Sequence, residues 1–169
     1  IRKEGNTPAW GAVYEQYFQE IDKVKGQKGV LSVEKKLFVE TNNGTNRQIR
    51  PVTPKQPLRI GDKVIVRLTI RTDREMDYVF LKDLRAGCFE PADQLSGPES
   101  RDCIWYYRSP KDVSENFFIN RLPEGTFVLE YPVYVSRSGE YAGGISTIQC
   151  MYAPEFVSHT AGESLRIMP

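Results

Sequence analysis

The stretch KVIVRLTIR (63–71) decides the fold. It places Val64, Val66, Leu68 and Ile70 on one side and Lys63, Arg67, Thr69 and Arg71 on the other, with Ile65 the single exception. Alternation of this kind marks a β-strand with one face buried and one face wet. The same period returns in TFVLEYPVYV (126–135), where Phe127, Leu129, Tyr131, Val133 and Val135 face one way. VLSVEKKLFVE (30–40), DYVFLKDLRA (77–86), IWYYRS (104–109), ENFFINRL (115–122), EYAGGISTIQCMY (140–152) and ESLRIM (163–168) add further strands. Asn43-Gly44 is a hairpin signal, because both residue types tolerate positive φ. About eight strands with polar turns and no helix among them predict an all-β fold, a two-layer antiparallel β-sandwich of immunoglobulin-like architecture. Pro132 lies in an otherwise regular strand and predicts an edge or a bulge, since proline cannot donate to the ladder. GCFEPADQLSGPESRDC (87–103) reads as a long loop, and Gly143-Gly144 as a bulge or a close backbone approach.

The totals narrow the function classes. The chain has 169 residues, 40% of them hydrophobic, enough for one packed domain. Lys and Arg number 23 against 22 Asp and Glu, so the net basic face that phosphate binding requires is missing and no nucleic-acid partner is expected. No apolar run approaches the ~18 residues of a membrane span, so no direct membrane contact is expected of this domain. No leader is visible, and IRKEGNTPAW (1–10) reads as the interior of a longer polypeptide.

Residues 1–28 differ from the rest. Tyr14, Tyr17, Phe18, Ile21 and Val24 recur at helical spacing, while Trp10, Ala12, Tyr14 and Phe18 fit a strand that Gln16 interrupts. VKGQKG (24–29) follows as a linker, and residues 29–169 form the sandwich domain.

Little of the sequence carries chemistry by itself. Cys88, Cys103 and Cys150 are odd in number and widely spaced, which favours buried free thiols over a disulfide framework. His159 is the single histidine and reads as a surface or turn residue, so a Ser-His-Asp hydrolase is not expected and the chain reads as a non-enzyme. No metal site and no cofactor are expected: Glu75, Asp77 and Asp83 read as a solvated strand face rather than calcium ligands. Asn43-Gly44-Thr45 also matches a glycosylation acceptor, but the hairpin already explains it. The aromatics are more informative. In IWYYRS, Trp105 and Tyr107 must point opposite to Tyr106, so some aromatic surface faces solvent as a docking surface would.

Three segments are more specific than any period: DLRAGCFEP (83–91), LPEGTF (122–127) and CMYAPE (150–155). With TPAWGAVYEQYF (7–18), they resemble the C-terminal macroglobulin-like domain of bacterial alpha-2-macroglobulins, in the form typical of Bacteroidetes, across essentially the whole chain. The resemblance implies a protease-trapping envelope protein, periplasmic or membrane-anchored through its full length, with target endopeptidases as partners of the whole protein. It implies that residues 9–19 are a return strand of the preceding sheet domain. It also implies that this domain packs on a thioester-containing helical domain of the same polypeptide, where Met151 and Tyr152 match residues that shield the thioester from water. A flexible thioether and a large ring with one polar tip suit an apolar cap, and Ala153-Pro154 would end the strand beneath them. Two readings of the pair stay open here, the cap and ordinary core residues at a strand end. Two functions stay open as well: a non-catalytic domain of a protease trap, and a generic cell-surface adhesion or carbohydrate-binding sandwich.

Overall fold

The computed structural model describes residues 4, 8, 10–43, 46–53 and 56–169, and omits the side chains of residues 42, 43, 46 and 47. Among the described residues a 3-10 turn, Ile21–Lys23, precedes fourteen strands. These are β1 (Ser32–Asn43), β2 (Asn46–Pro51), β3 (Leu58–Arg59), β4 (Lys63–Thr72), β5 (Met76–Leu84), β6 (Phe89–Pro91) and β7 (Gly97–Arg101). The second half supplies β8 (Ile104–Pro110), β9 (Ser114–Leu122), β10 (Gly125–Val135), β11 (Gly139–Ala142), β12 (Ser146–Cys150), β13 (Ala153–His159) and β14 (Ser164–Met168). A five-stranded sheet runs β2-β1-β4-β10-β6 and a six-stranded sheet runs β13-β12-β5-β9-β8-β7. A small sheet, β11-β14-β3, adds Leu58, Leu165 and Ile167 to the core that the two large sheets enclose. The fold is the all-β sandwich that the alternation predicts.

The predicted faces are the faces observed. Val64, Val66, Leu68, Ile70, Leu129, Tyr131 and Val133 are each at most 1% exposed. Ile65 is buried too, on the outer side, where its cross-strand partners are Phe38 and Pro132. Pro132 pairs with Ile65 on β4 and turns its carbonyl toward Ala92, just past the end of β6. The two backbone polar groups of a strand residue point to the same side, so the missing N–H points past the end of β6, where no ladder bond is lost. The proline is thus neither on an edge strand nor in a bulge: β10 lies between β4 and β6, and Pro132 sits in unbroken register with β4 where β6 ends.

Five expectations are corrected. Residues 87–103 are not a plain loop, because β6 and β7 lie within them and extend the two large sheets. Short pairing partners rich in Gly and Pro carry no alternation to read. Asp83 is not on a solvated face: it is wholly buried on the inner side of β5, accepting hydrogen bonds from Lys35 Nζ (2.7 Å), Ser146 Oγ (2.7 Å) and the Tyr131 hydroxyl. Cys103 is exposed, while Cys88 and Cys150 are buried; none is bridged. Residues 10–20 are neither helix nor strand in this chain, and Trp10, Val13, Tyr14, Tyr17 and Phe18 are all exposed. Neither periodicity is realised there because no described element packs on either face. The segment 24–29 is tied to the sandwich rather than free: Gln27 exchanges backbone hydrogen bonds with His159, and Gly162 N–H donates to Val24 O. The Asn43–Asn46 pairing closes the β1–β2 hairpin, while its tip, residues 44 and 45, lies outside the described residues.

Gly143-Gly144 separates β11 from β12 through a close approach. A Cβ on Gly144, at φ +70°, would sit 2.3 Å from the Leu84 carbonyl oxygen. A second buried polar group crosses the core nearby. Glu115 accepts from Arg108 Nε (2.7 Å) and Arg85 Nη1 (3.1 Å), and all three side chains are buried. Burial raises the Glu115 carboxyl above its usual range, against the pull of the two arginines. Burial and then Asp83 raise the Tyr131 phenol far above its usual value, so it remains a proton donor to that carboxylate.

Candidate functional site: a hairpin tip and the aromatic face beside it

QCMYAPEF (149–156) does not end a strand. It reverses one. Cys150 pairs with Ala153, so Met151 and Tyr152 are the two residues of a β-hairpin turn between β12 and β13. The next pair is Gln149 with Val157, so residues 154–156 are extra on β13 and form a bulge. Pro154 has no N–H to donate and belongs in such a bulge. The expectation that Ala153-Pro154 stops the strand is therefore replaced by a turn followed by a bulge. A regular strand would have sent one of the two side chains into the core. The turn sends neither: Met151 is 56% exposed and Tyr152 is 81% exposed.

Three contacts hold the tip. Met151 N–H donates to Tyr78 O at 2.9 Å, Cys150 Sγ donates to Asp77 O at 3.3 Å, and the Tyr78 and Tyr152 rings meet edge to face at 5.1 Å. Tyr78 has φ +55°, a left-handed backbone that an aromatic residue rarely adopts. Such a conformation costs on the order of 1–2 kcal/mol and persists only where its surroundings enforce it. Here it lies directly under the exposed tip.

Beside the tip, the outer face of the six-stranded sheet is aromatic and poor in charge. Pairing registers align Val157, Gln149, Phe80, Phe118, Tyr107 and Pro98 in one row across all six strands. The Phe80 and Phe118 rings stack at 4.9 Å. Trp105, on the same side as Tyr107, is exposed, and Tyr106 between them is buried and donates to Glu99 Oε2, as the strand parity predicts. Asn116 and Asn120 lie to either side of Phe118, and Lys82, paired with Asn116, brings the neighbouring charge.

A cleft of about 600 Å³ lies between residues 26–28, β1 and residues 159–163, lined among others by Lys28, Glu34, Lys35, Lys36, His159 and Glu163. Two of its cations are engaged, Lys28 with Glu34 at 3.3 Å and Lys35 with Asp83 at 2.7 Å. His159 ends β13, with its ring Nδ1 3.1 Å from Thr160 O. Among the described residues no group of three His, Cys, Asp or Glu side chains could hold a metal ion. Sequence reasoning singled out Met151 and Tyr152 but missed Tyr78 as their contact and Phe80 and Phe118 on the adjoining face. The aromatic content of β5 and β9 was visible, but only the strand order places it beside the tip.

Solved structures share this fold. Salmonella alpha-2-macroglobulin reacted with methylamine superimposes with a TM-score of 0.66 at 21% identity, over 86% of this chain and 10% of that one. Escherichia coli alpha-2-macroglobulin activated by porcine elastase gives 0.66 at 18% identity, over 86% and 14%. The native Escherichia coli protein from domain MG7 to its C-terminus gives 0.65 at 16%, over 85% and 24%. The chain thus spans about a tenth to a quarter of the solved chains it matches. A curated relative, circularly permutated Ras protein 2 of Dictyostelium discoideum, is 28% identical over 109 residues, which is 64% of this chain and 3% of that protein. Residues 31–155, from the residue before β1 through the hairpin tip, match the family described as the bacterial alpha-2-macroglobulin MG10 domain, and the chain belongs to that family.

Proposed function

We propose that this chain is a non-catalytic domain of a protease-trapping alpha-2-macroglobulin, in the Bacteroidetes form that its sequence resembles. It packs on a helical, thioester-containing domain of the same polypeptide, and Met151 and Tyr152 cover the thioester. The protein acts in the bacterial cell envelope, periplasmic or membrane-anchored through its full length, and its targets are endopeptidases. Residues 1–28 belong to the preceding sheet domain and its linker, where residues 9–19 find strand partners, and residues 29–169 are the MG10-type sandwich.

The observation that carries the reading is the exposure of both residues at one hairpin tip. A thioester is hydrolysed if water reaches it, and a cap must present apolar atoms outward from a fixed support. Met151 and Tyr152 do so, anchored by Tyr78 and Cys150. As core residues they would be buried. The relatives' chemistry supports the same reading: one reacts with methylamine, a small nucleophile, and another is activated by a protease.

Replacing Met151 and Tyr152 by Ala in the full-length protein should leave it folded and speed its reaction with methylamine, read as faster release of a free thiol. A variant that reacts no faster than the wild type, or a wild type that releases no thiol at all, overturns the shielding role.

A further inference from the structure

The aromatic row extends well beyond the two tip residues and has no role in the fold's own core. We infer that the outer face of the six-stranded sheet, centred on Phe80, Phe118, Tyr107 and Trp105, is a docking face for a neighbouring domain tethered in the same polypeptide. The inference rests on the reading that Met151 and Tyr152 reach such a domain.

Three observations lead there. The first is composition. The row from Val157 to Pro98 crosses six strands without a charge, and its exposed members are Phe118, Tyr107 and Pro98, two aromatics and a proline. Depletion of charge with enrichment of Tyr, Trp, Phe and Met distinguishes the centre of a protein interface from ordinary surface. Asn120 flanks the rings as an exposed amide that is cheap to desolvate compared with Lys or Glu, and Asn116 on the other side is already buried, donating to Ser109 O and Ser114 Oγ. The second is continuity. Tyr78 joins the face to the tip, pairing with Tyr152 through its ring while lying two residues from Phe80 on β5.

The third is size. Six strands about 4.8 Å apart, taken over three rows about 7 Å apart, cover roughly 500 Å². A stable association between separate molecules buries about 800 Å² on each partner. The face is therefore small for a second copy of this chain, which would have to bear the full entropic cost of association. It is adequate for a domain held nearby by the chain, where a tether supplies an effective concentration in about the millimolar range. The chain spans only 10% of the Salmonella protein it matches, so proteins of this kind carry ample further mass to occupy the face.

Hydroxyl-radical footprinting tests this on the full-length protein beside the 169-residue chain, which encloses its own core. Interface centres are nearly fully buried, so oxidation of Trp105, 71% exposed in this chain, should fall roughly fivefold or more in the full-length protein. Tyr107 and Phe118 should follow it. Equal oxidation of these three residues in both proteins overturns the inference, and if Met151 and Tyr152 are still protected, the shielding role survives without it. Protection of the face with an unprotected tip supports the docking face and sinks the shielding role instead. Protection that appears in the 169-residue chain alone, with a dimer's mass, assigns the face to a second copy and overturns the inference. Protection that appears only when cellohexaose is added assigns it to carbohydrate, with the same consequence.

Discussion

On the outer face of the five-stranded sheet, Glu40 accepts from Lys63 at 3.0 Å, and Glu130 accepts from Arg67 at 2.6 Å and from Arg101 at 2.9 Å. On the outer face of the six-stranded sheet, a row of six residues crosses the domain without one charge. Both faces come from strands of the same period, folded over the same core. The difference therefore cannot be a requirement of folding. Cross-strand ion pairs keep an exposed sheet soluble and blunt its tendency to associate. A face that forgoes them is kept for contact, and its nearest feature is the strained Tyr78 under the exposed Met151-Tyr152 tip.

The largest effect should come from beneath both faces, where the sheets share charge rather than display it. Asp83→Ala leaves Lys35 without its carboxylate and the Tyr131 and Ser146 hydroxyls without an acceptor. Removing one partner of a buried pair costs about 3–5 kcal/mol. Urea unfolding of the 169-residue chain should report a loss of that size. A loss like that of an exposed residue would mean that the core depends on apolar packing alone.

A change on the aromatic face should cost much less. Phe118→Thr removes a stacked ring from Phe80 and should lower stability by about 0.5–1.5 kcal/mol. A loss near that of a core phenylalanine in the same melt would show that the face serves the domain's own fold and would blur the contrast between the two surfaces.

The smallest effect belongs to the charged face. Burial alone would raise the Glu130 carboxyl, but hydrogen bonds from Arg67 and Arg101 outweigh it and hold it below the usual range. A carboxylate depressed in the folded state stabilises the fold above its unfolded value and loses that contribution as pH falls through the folded one. Glu130→Gln should therefore cost up to about 1 kcal/mol near pH 7, the range of a partly screened surface pair. It should cost close to nothing well below the carboxylate range, and less at pH 7 as salt is added. Denaturation at the two pH values decides it; an equal cost at both would show that shape rather than charge matters at this position.

Legibility divides along the same lines. Period two is a local property of the chain, because side chains of a strand point alternately to its two faces. So KVIVRLTIR and TFVLEYPVYV disclosed the sandwich and its inner faces, and IWYYRS disclosed which aromatics face outward. Which inner positions tolerate charge depends on partners remote in sequence: Lys35 and Asp83 are 48 residues apart, and neither signals the other. The β6 and β7 pairings within residues 87–103 likewise exist only because finished strands stand ready to receive them. The 10–20 segment makes the converse point, since two good periodicities produce no element where nothing covers either face. Strand order and the turn at Met151-Tyr152 were left to tertiary structure for one physical reason. They are settled by hydrogen bonds and ring contacts between distant segments, whose energies appear only once the chain has closed upon itself.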